Sequence, residues 1–196
     1  FRLQQIMDLA ENLKSDVTMP LVSMVSYAII YRVGLKKYVQ QAKAAGYAGA
    51  IVPDLLVEEA AELSRICAGE DFSLVQLVTP TTPRDRQVRI AESSSGFLYY
   101  VSVTGITGER TVLPGDLVDN VKWLRGQTEL PICIGFGISG PETAARLAPV
   151  ADGLIVGSAV VRRVHDAGNS DSAVTHVTDF VKALRDAIDS APNDLL

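Results

Sequence analysis

Apolar and polar positions along this chain follow two periods that take turns. Leu3, Ile6, Met7, Ala10 and Leu13 recur every three or four residues, which predicts an amphipathic helix over 1–14. The apolar run 20–27, entered through Pro20, predicts a strand. Leu35, Tyr38, Val39 and Ala42 share one face of a second helix over 34–46, closed by Gly46. A short buried strand over 48–53 ends in Asp54. A third helix over 56–68 turns Val57, Ala60, Ala61, Leu63 and Cys67 inward, and a strand follows over 72–78. Thr82 as N-cap and Pro83 at the first helical position predict a helix to about Ser93. After it come a strand over 96–102, a loop over 103–113, a helix from Asp116 to about Arg125 and a strand from Pro131. A helix then ends at Leu147, a strand opens at Ala151, and a short helical turn covers 158–164. The last helix, 170–190, repeats Val174, Val177, Val181, Leu184 and Ile188 at helical spacing.

Strands and helices thus alternate. The strands are short, apolar and mostly without internal alternation, as parallel strands buried on both faces should be. Such a chain is α/β, either an open doubly wound sheet or a (βα)8 barrel. An open sheet would place its phosphate loop after the first strand. Here the glycine turns, Gly135-Phe136-Gly137 and Gly157-Ser158, follow the last two strands. That is where a barrel binds phosphate. The expected fold is therefore of (βα)8 TIM-barrel lineage, with six of the eight strands in this chain. Residues 1–196 form one expected barrel domain, N-terminally incomplete, with the missing strands before Phe1.

The two turns carry the chemistry. Glycine lets a backbone approach a ligand without a side chain in the way. A strand that breaks at glycine and feeds a helix start aims free amide N–H groups at one spot, which suits a phosphate. Pro131–Ser139 and Ala151–Ser158 repeat that plan, so one phosphate is expected to be held from both sides.

Composition narrows the partners. The net charge is −5 and no Lys/Arg stripe occurs, which argues against nucleic acid. No apolar run approaches the roughly 20 residues that span a bilayer, so no membrane partner is expected. Cys67 and Cys133, the two cysteines, both sit in apolar patterns and read as core residues in a reduced, cytoplasmic setting, with no metal site. His165 and His176 lack an acidic or nucleophilic partner pattern and read as solvated or capping residues.

Several segments stand together in a recognisable order: Tyr31-Arg32-Val33-Gly34, Ile51–Leu55, Thr79-Pro80-Thr81-Thr82, Tyr99 with Ser102–Gly108, Gly135–Ser139 and Gly153–Ser158. Over essentially the whole chain this resembles the tryptophan synthase alpha chain family. The resemblance implies retro-aldol cleavage of indole-3-glycerol phosphate to indole and glyceraldehyde 3-phosphate, without cofactor or metal. It also implies an α2β2 assembly, in which indole passes to a tryptophan synthase beta chain. It assigns the phosphate to Gly108, Gly137, Gly157 and Ser158. Substrate contact falls to Tyr99, Phe136, Thr107 and Tyr27, and relay toward the beta chain to Asp54. The family's catalytic Glu and Asp would fall upstream of Phe1, so no residue of this chain is assigned as catalytic. Ile29-Ile30 and Val103 depart from the family's more polar pattern. Two other readings stay open: a non-catalytic phosphate- and beta-chain-binding remnant, and another phosphate-binding barrel enzyme.

Overall fold

The computed structural model describes residues 2–102, 115–135 and 137–192. The chain divides into two compact units, Phe1–Val78 with Pro83–Leu98 and Thr79–Thr82 with Tyr99–Leu196.

The first unit opens with α1 (Leu3–Leu13), β1 (Leu21–Met24), α2 (Tyr27–Val33) and α3 (Leu35–Ala44). It continues through β2 (Tyr47–Ile51), α4 (Ala60–Gly69), β3 (Ser73–Val75), β4 (Leu77–Val78) and α5 (Arg84–Glu92). Strands β1, β2 and β3 form a parallel sheet in that order, with Met24 opposite Ile51 and Ile51 opposite Val75. Its core gathers Met7, Ile30, Tyr38, Val39, Leu63 and Leu74. The one hydroxyl in that group is partnered: Tyr38 Oη lies 2.8 Å from Ser23 Oγ. Burial there pushes the Tyr38 phenol above its usual range, against the lowering effect of Ser23. The helix at 27–33 was not expected from the sequence. It is a single short stretch between β1 and Gly34, whose φ of +98° ends it. The predicted strand 72–78 is split by Gln76, which is buried and whose amide donates to Ser93 Oγ at 2.8 Å.

Thr82 does not cap α5. Pro83 occupies the N-cap position, and Thr82 Oγ1 instead accepts from the Thr79 amide at 3.1 Å.

The second unit takes up β5 (Leu98–Val101) from Tyr99 onward. It adds α6 (Gly115–Arg125), β6 (Ile132–Gly135), α7 (Pro141–Leu147), β7 (Gly153–Ile155), α8 (Ser158–Asp166) and α9 (Ser170–Asp189). Strands β5, β6 and β7 lie side by side in that order, with β6 and β7 parallel. Asn169 caps α9 by accepting from the Ser172 amide at 2.9 Å. The apolar stripe expected on α9 packs in part, with Leu184 buried and Val177 and Ile188 half-buried. Val174 and Val181 are exposed, while Phe180 and Leu184 are buried, with the Arg163 guanidinium 3.2 Å from the Phe180 ring centre. Spacing alone did not mark Phe180, which lies beside the expected row. No helix among the described residues is long and apolar enough to cross a membrane.

Candidate functional site

The glycine turns leave from neighbouring strand ends. Cys133, Ile134 and Gly135 of β6 stand opposite Gly153, Leu154 and Ile155 of β7, so both strands finish at the same level. The Ser102 amide, just past β5, donates to the Gly135 carbonyl at 3.1 Å. Gly137 has φ +77°, a conformation that side chains beyond glycine rarely take.

The two turns differ as anion donors. Helix α8 begins directly at Ser158 behind Gly157, whose carbonyl takes the Val160 and Val161 amides at 2.9 and 3.2 Å. The Ser158 and Ala159 amides are among the first N–H groups of the helix, which have no intrahelical acceptor. The first turn of α8 holds no acidic residue and its last turn holds Arg163 and His165, so the positive dipole end at its N-terminus meets no acidic side chain of its own first turn. No atom of the described residues lies within 4 Å of the point where a side chain at Gly157 would begin, so their packing does not explain that glycine. Helix α7 is shorter, starts with Pro141 and carries Glu142 in its first turn, which opposes an anion there.

Tyr99 is seated on this ledge. A Cβ at Gly135 would stand 2.6 Å from Tyr99 Cε2, so the phenol occupies the space that the glycine leaves. Burial pushes the Tyr99 hydroxyl above its usual pKa, which keeps it a neutral donor and acceptor. Its neighbour Tyr100 is fully buried beside Asn120 and Asp116 of α6. The alternation therefore leaves one tyrosine of the pair, Tyr99, partly open.

In the first unit, Asp54 and Tyr27 meet through the backbone. Ser26 Oγ donates to Asp54 Oδ2 at 2.6 Å, and the Tyr27 amide donates to Oδ1 at 2.7 Å. These bonds, the Ser26 hydroxyl first, hold the Asp54 carboxyl below the usual carboxylate range. The Tyr27 ring lies 6.1 Å from that of Tyr31 at 53°. Sequence reasoning named both residues but not the bond between them. Ser26 was not singled out, although a Ser just before an apolar helical run is an N-cap signal. Thr107, Gly108 and Phe136 lie outside the described residues. No group of three or more His, Cys, Asp and Glu side chains suited to a metal occurs among the described residues. His165 and His176 are exposed on α8 and α9.

The family profile described as tryptophan synthase alpha chain matches residues 1–189. The chain belongs to the tryptophan synthase alpha chain family. A tryptophan synthase alpha chain of Rhodopirellula baltica is 66% identical over 203 residues, covering 97% of this chain and 73% of the relative. That of Caldanaerobacter subterraneus subsp. tengcongensis is 35% identical, covering 95% and 71%. Among solved structures, the alpha chain of Legionella pneumophila superposes with a TM-score of 0.84 at 29% identity, over 96% of this chain and 70% of that one. A Pyrococcus furiosus structure, of the tryptophan synthase α2β2 complex, reaches 0.86 at 31% identity, over 95% and 75%. The fold is accordingly of (βα)8 barrel lineage, and the short parallel strands and intervening helices of both units are parts of it.

Proposed function

We propose that this chain serves the alpha-chain reaction, the retro-aldol cleavage of indole-3-glycerol phosphate to indole and glyceraldehyde 3-phosphate, by holding and orienting the substrate. The observation that carries this reading is the start of α8. Space at Gly157 left open by the described residues, amides at Ser158 and Ala159 without an intrahelical acceptor, and no acidic residue in the first turn suit a phosphate dianion. Gly137 and Gly108 complete the phosphate site in this reading. Tyr99 and Phe136 pack near the indole and its side chain, Thr107 closes over it, and Tyr27 contacts the substrate from the turn after β1.

The reaction adds a proton at the indole ring carbon and removes one from a hydroxyl, which is work for a positioned acid and base. Holding and positioning roles are assigned within these residues, and no acid or base. No cofactor or metal takes part in this reading. The chain acts as one barrel domain in the cytoplasm, with a tryptophan synthase beta chain in an α2β2 assembly that takes up the indole. Asp54 then relays toward that partner.

Indole propanol phosphate, a substrate mimic, tests the reading. At a hundredfold excess over its dissociation constant it should stabilise the chain by about 2.7 kcal/mol. That corresponds to a rise in melting temperature of roughly 5–10 °C for a chain of this size. Gly157→Val should abolish most of the rise while leaving the ligand-free melting temperature nearly unchanged. Absence of any rise, or an equal rise in Gly157→Val, would refute it.

A further inference from the structure

We propose that Asp54 is a positioning residue whose carboxylate, reaching from the end of β2, fixes the turn after β1 and with it the ring of Tyr27. The proposal rests on the reading of Tyr27 as a substrate contact and deepens it. The two turns are neighbours because the strands are: Met24 stands opposite Ile51, and the Val25 amide donates to the Ile51 carbonyl at 3.0 Å. The chain beyond β2 therefore delivers Asp54 beside Ser26 and Tyr27.

What the carboxylate does there follows from the helix it meets. Ser26 is the N-cap of α2, a position from which a serine usually offers its own oxygen to an amide of the first turn. Ser26 makes no such bond, and its hydroxyl is given to Asp54 instead. The first turn of α2 contains no acidic residue of its own. Asp54 thus caps α2 from the turn after β2, with two short bonds to an ionised acceptor, one of them from the amide of Tyr27 itself. A helix of seven residues is too short to hold its own first turn by backbone bonding alone. The direction in which Tyr27 leaves the backbone, and its contact with Tyr31 one turn on, therefore depend on a residue 27 positions later. Whatever draws on the Asp54 turn acts on Tyr27.

The test compares Asp54→Ala and Asp54→Asn in the whole chain. The Tyr27 ring signals, assigned in the NMR spectrum with Tyr27→Phe, should shift in Asp54→Ala together with those of Tyr31, while those of Tyr99 stay. Affinity for indole propanol phosphate should fall about tenfold, and affinity for glycerol 3-phosphate, which lacks the ring, should stay within about twofold. Asp54→Asn retains an acceptor for the Tyr27 amide and should recover most of both properties. Unmoved Tyr27 signals, or an equal loss for both ligands, would overturn the proposal. A Tyr27→Ala variant separates the two layers. If it binds the mimic normally, the substrate role of Tyr27 fails, and the NMR comparison alone decides whether Asp54 positions the ring.

Discussion

A methyl group added at Gly135 would stand 2.6 Å from Cε2, 2.7 Å from Oη and 2.9 Å from Cζ of Tyr99. Carbon atoms in contact sit at about 3.5–4.0 Å, so the ring or the strand must move by roughly an ångström. Strand β6 is pinned at that residue. Gly135 is in register with Ile155 on one side, and on the other its carbonyl accepts the Ser102 amide at 3.1 Å. The ring is the softer partner, because it pivots about two torsions and is only partly buried. Overpacking costs about 1–3 kcal/mol, and a ring free to swing outward puts Gly135→Ala at the lower end, about 1 kcal/mol. That is a drop of roughly 2–4 °C in melting temperature.

The larger effect should fall on the ligand. A displaced Tyr99 no longer lies along the ledge above the glycine turns, so calorimetric titration with indole propanol phosphate should show a loss of about tenfold or more in Gly135→Ala. Second-site changes separate sterics from general damage. Tyr99→Phe keeps Cε2 and Cζ and should bring no relief. Tyr99→Ala removes the clash, so the double variant Gly135→Ala/Tyr99→Ala should be more stable than the two single losses predict. The expected coupling is about 0.5–3 kcal/mol. Additive stabilities in that cycle, or unchanged affinity in Gly135→Ala, would refute the reasoning.

Gly153→Ala would bring a methyl to 2.8 Å from Cys133 Sγ, at a predicted cost of about 1–3 kcal/mol in urea unfolding, and Cys133→Ala on that background should recover most of it. Asp152 accepts from Arg125 at 3.0 Å and from the Ile132 amide at 2.8 Å, at the amino ends of β6 and β7. Partial exposure of the ion pair holds the predicted cost of Asp152→Ala to about 1–2 kcal/mol, with Asp152→Asn losing less and affinity for indole propanol phosphate unaffected in both. Asp54 gives a pH signature. Its folded-state pKa is lowered, so its contribution is fully present above the ordinary carboxylate range near pH 4 and is lost as pH falls through the folded value. Melting temperature measured from pH 6 down to 3 should therefore fall more steeply in the unaltered protein than in Asp54→Asn, and parallel profiles would sink that assignment.

Periodicity located nearly every element because burial here is set by simple faces. Helix α3 packs Tyr38, Val39 and Ala42 as its spacing requires, and α4 packs Leu63 and Cys67. It failed where two faces compete. On α9 the expected row holds both Leu184, which is buried, and Val174 and Val181, which are exposed, and Phe180 beside it is buried; contact with α7 and α8 decides among them. Helix α2 was missed for a different reason. Its seven residues carry a β-branched pair, Ile29-Ile30, and make too weak a local case for a helix. What supports it is the carboxylate of Asp54, from the turn after β2.

The same distinction runs through the candidate site. Gly137 and Gly157 were legible because a glycine after a strand and before a helix is a local signal. Their unequal fitness for an anion was not, since it depends on where each helix begins and on Glu142 in the first turn of α7. In the sequence Gly135 reads only as the first residue of its glycine turn, without a role of its own. In the fold its requirement comes from Tyr99, a residue 36 positions earlier that reaches it only because β5 and β6 are neighbours. Asp54 with Tyr27 is the corresponding case at the ends of β1 and β2. In both pairs a tyrosine on or just past one strand meets a residue on or just past the neighbouring strand. A side chain at or just past a barrel strand end can thus have its surroundings set by the adjacent strand. Substitutions at Gly135 and Asp54 should then alter ligand affinity more than their own burial or exposure would suggest.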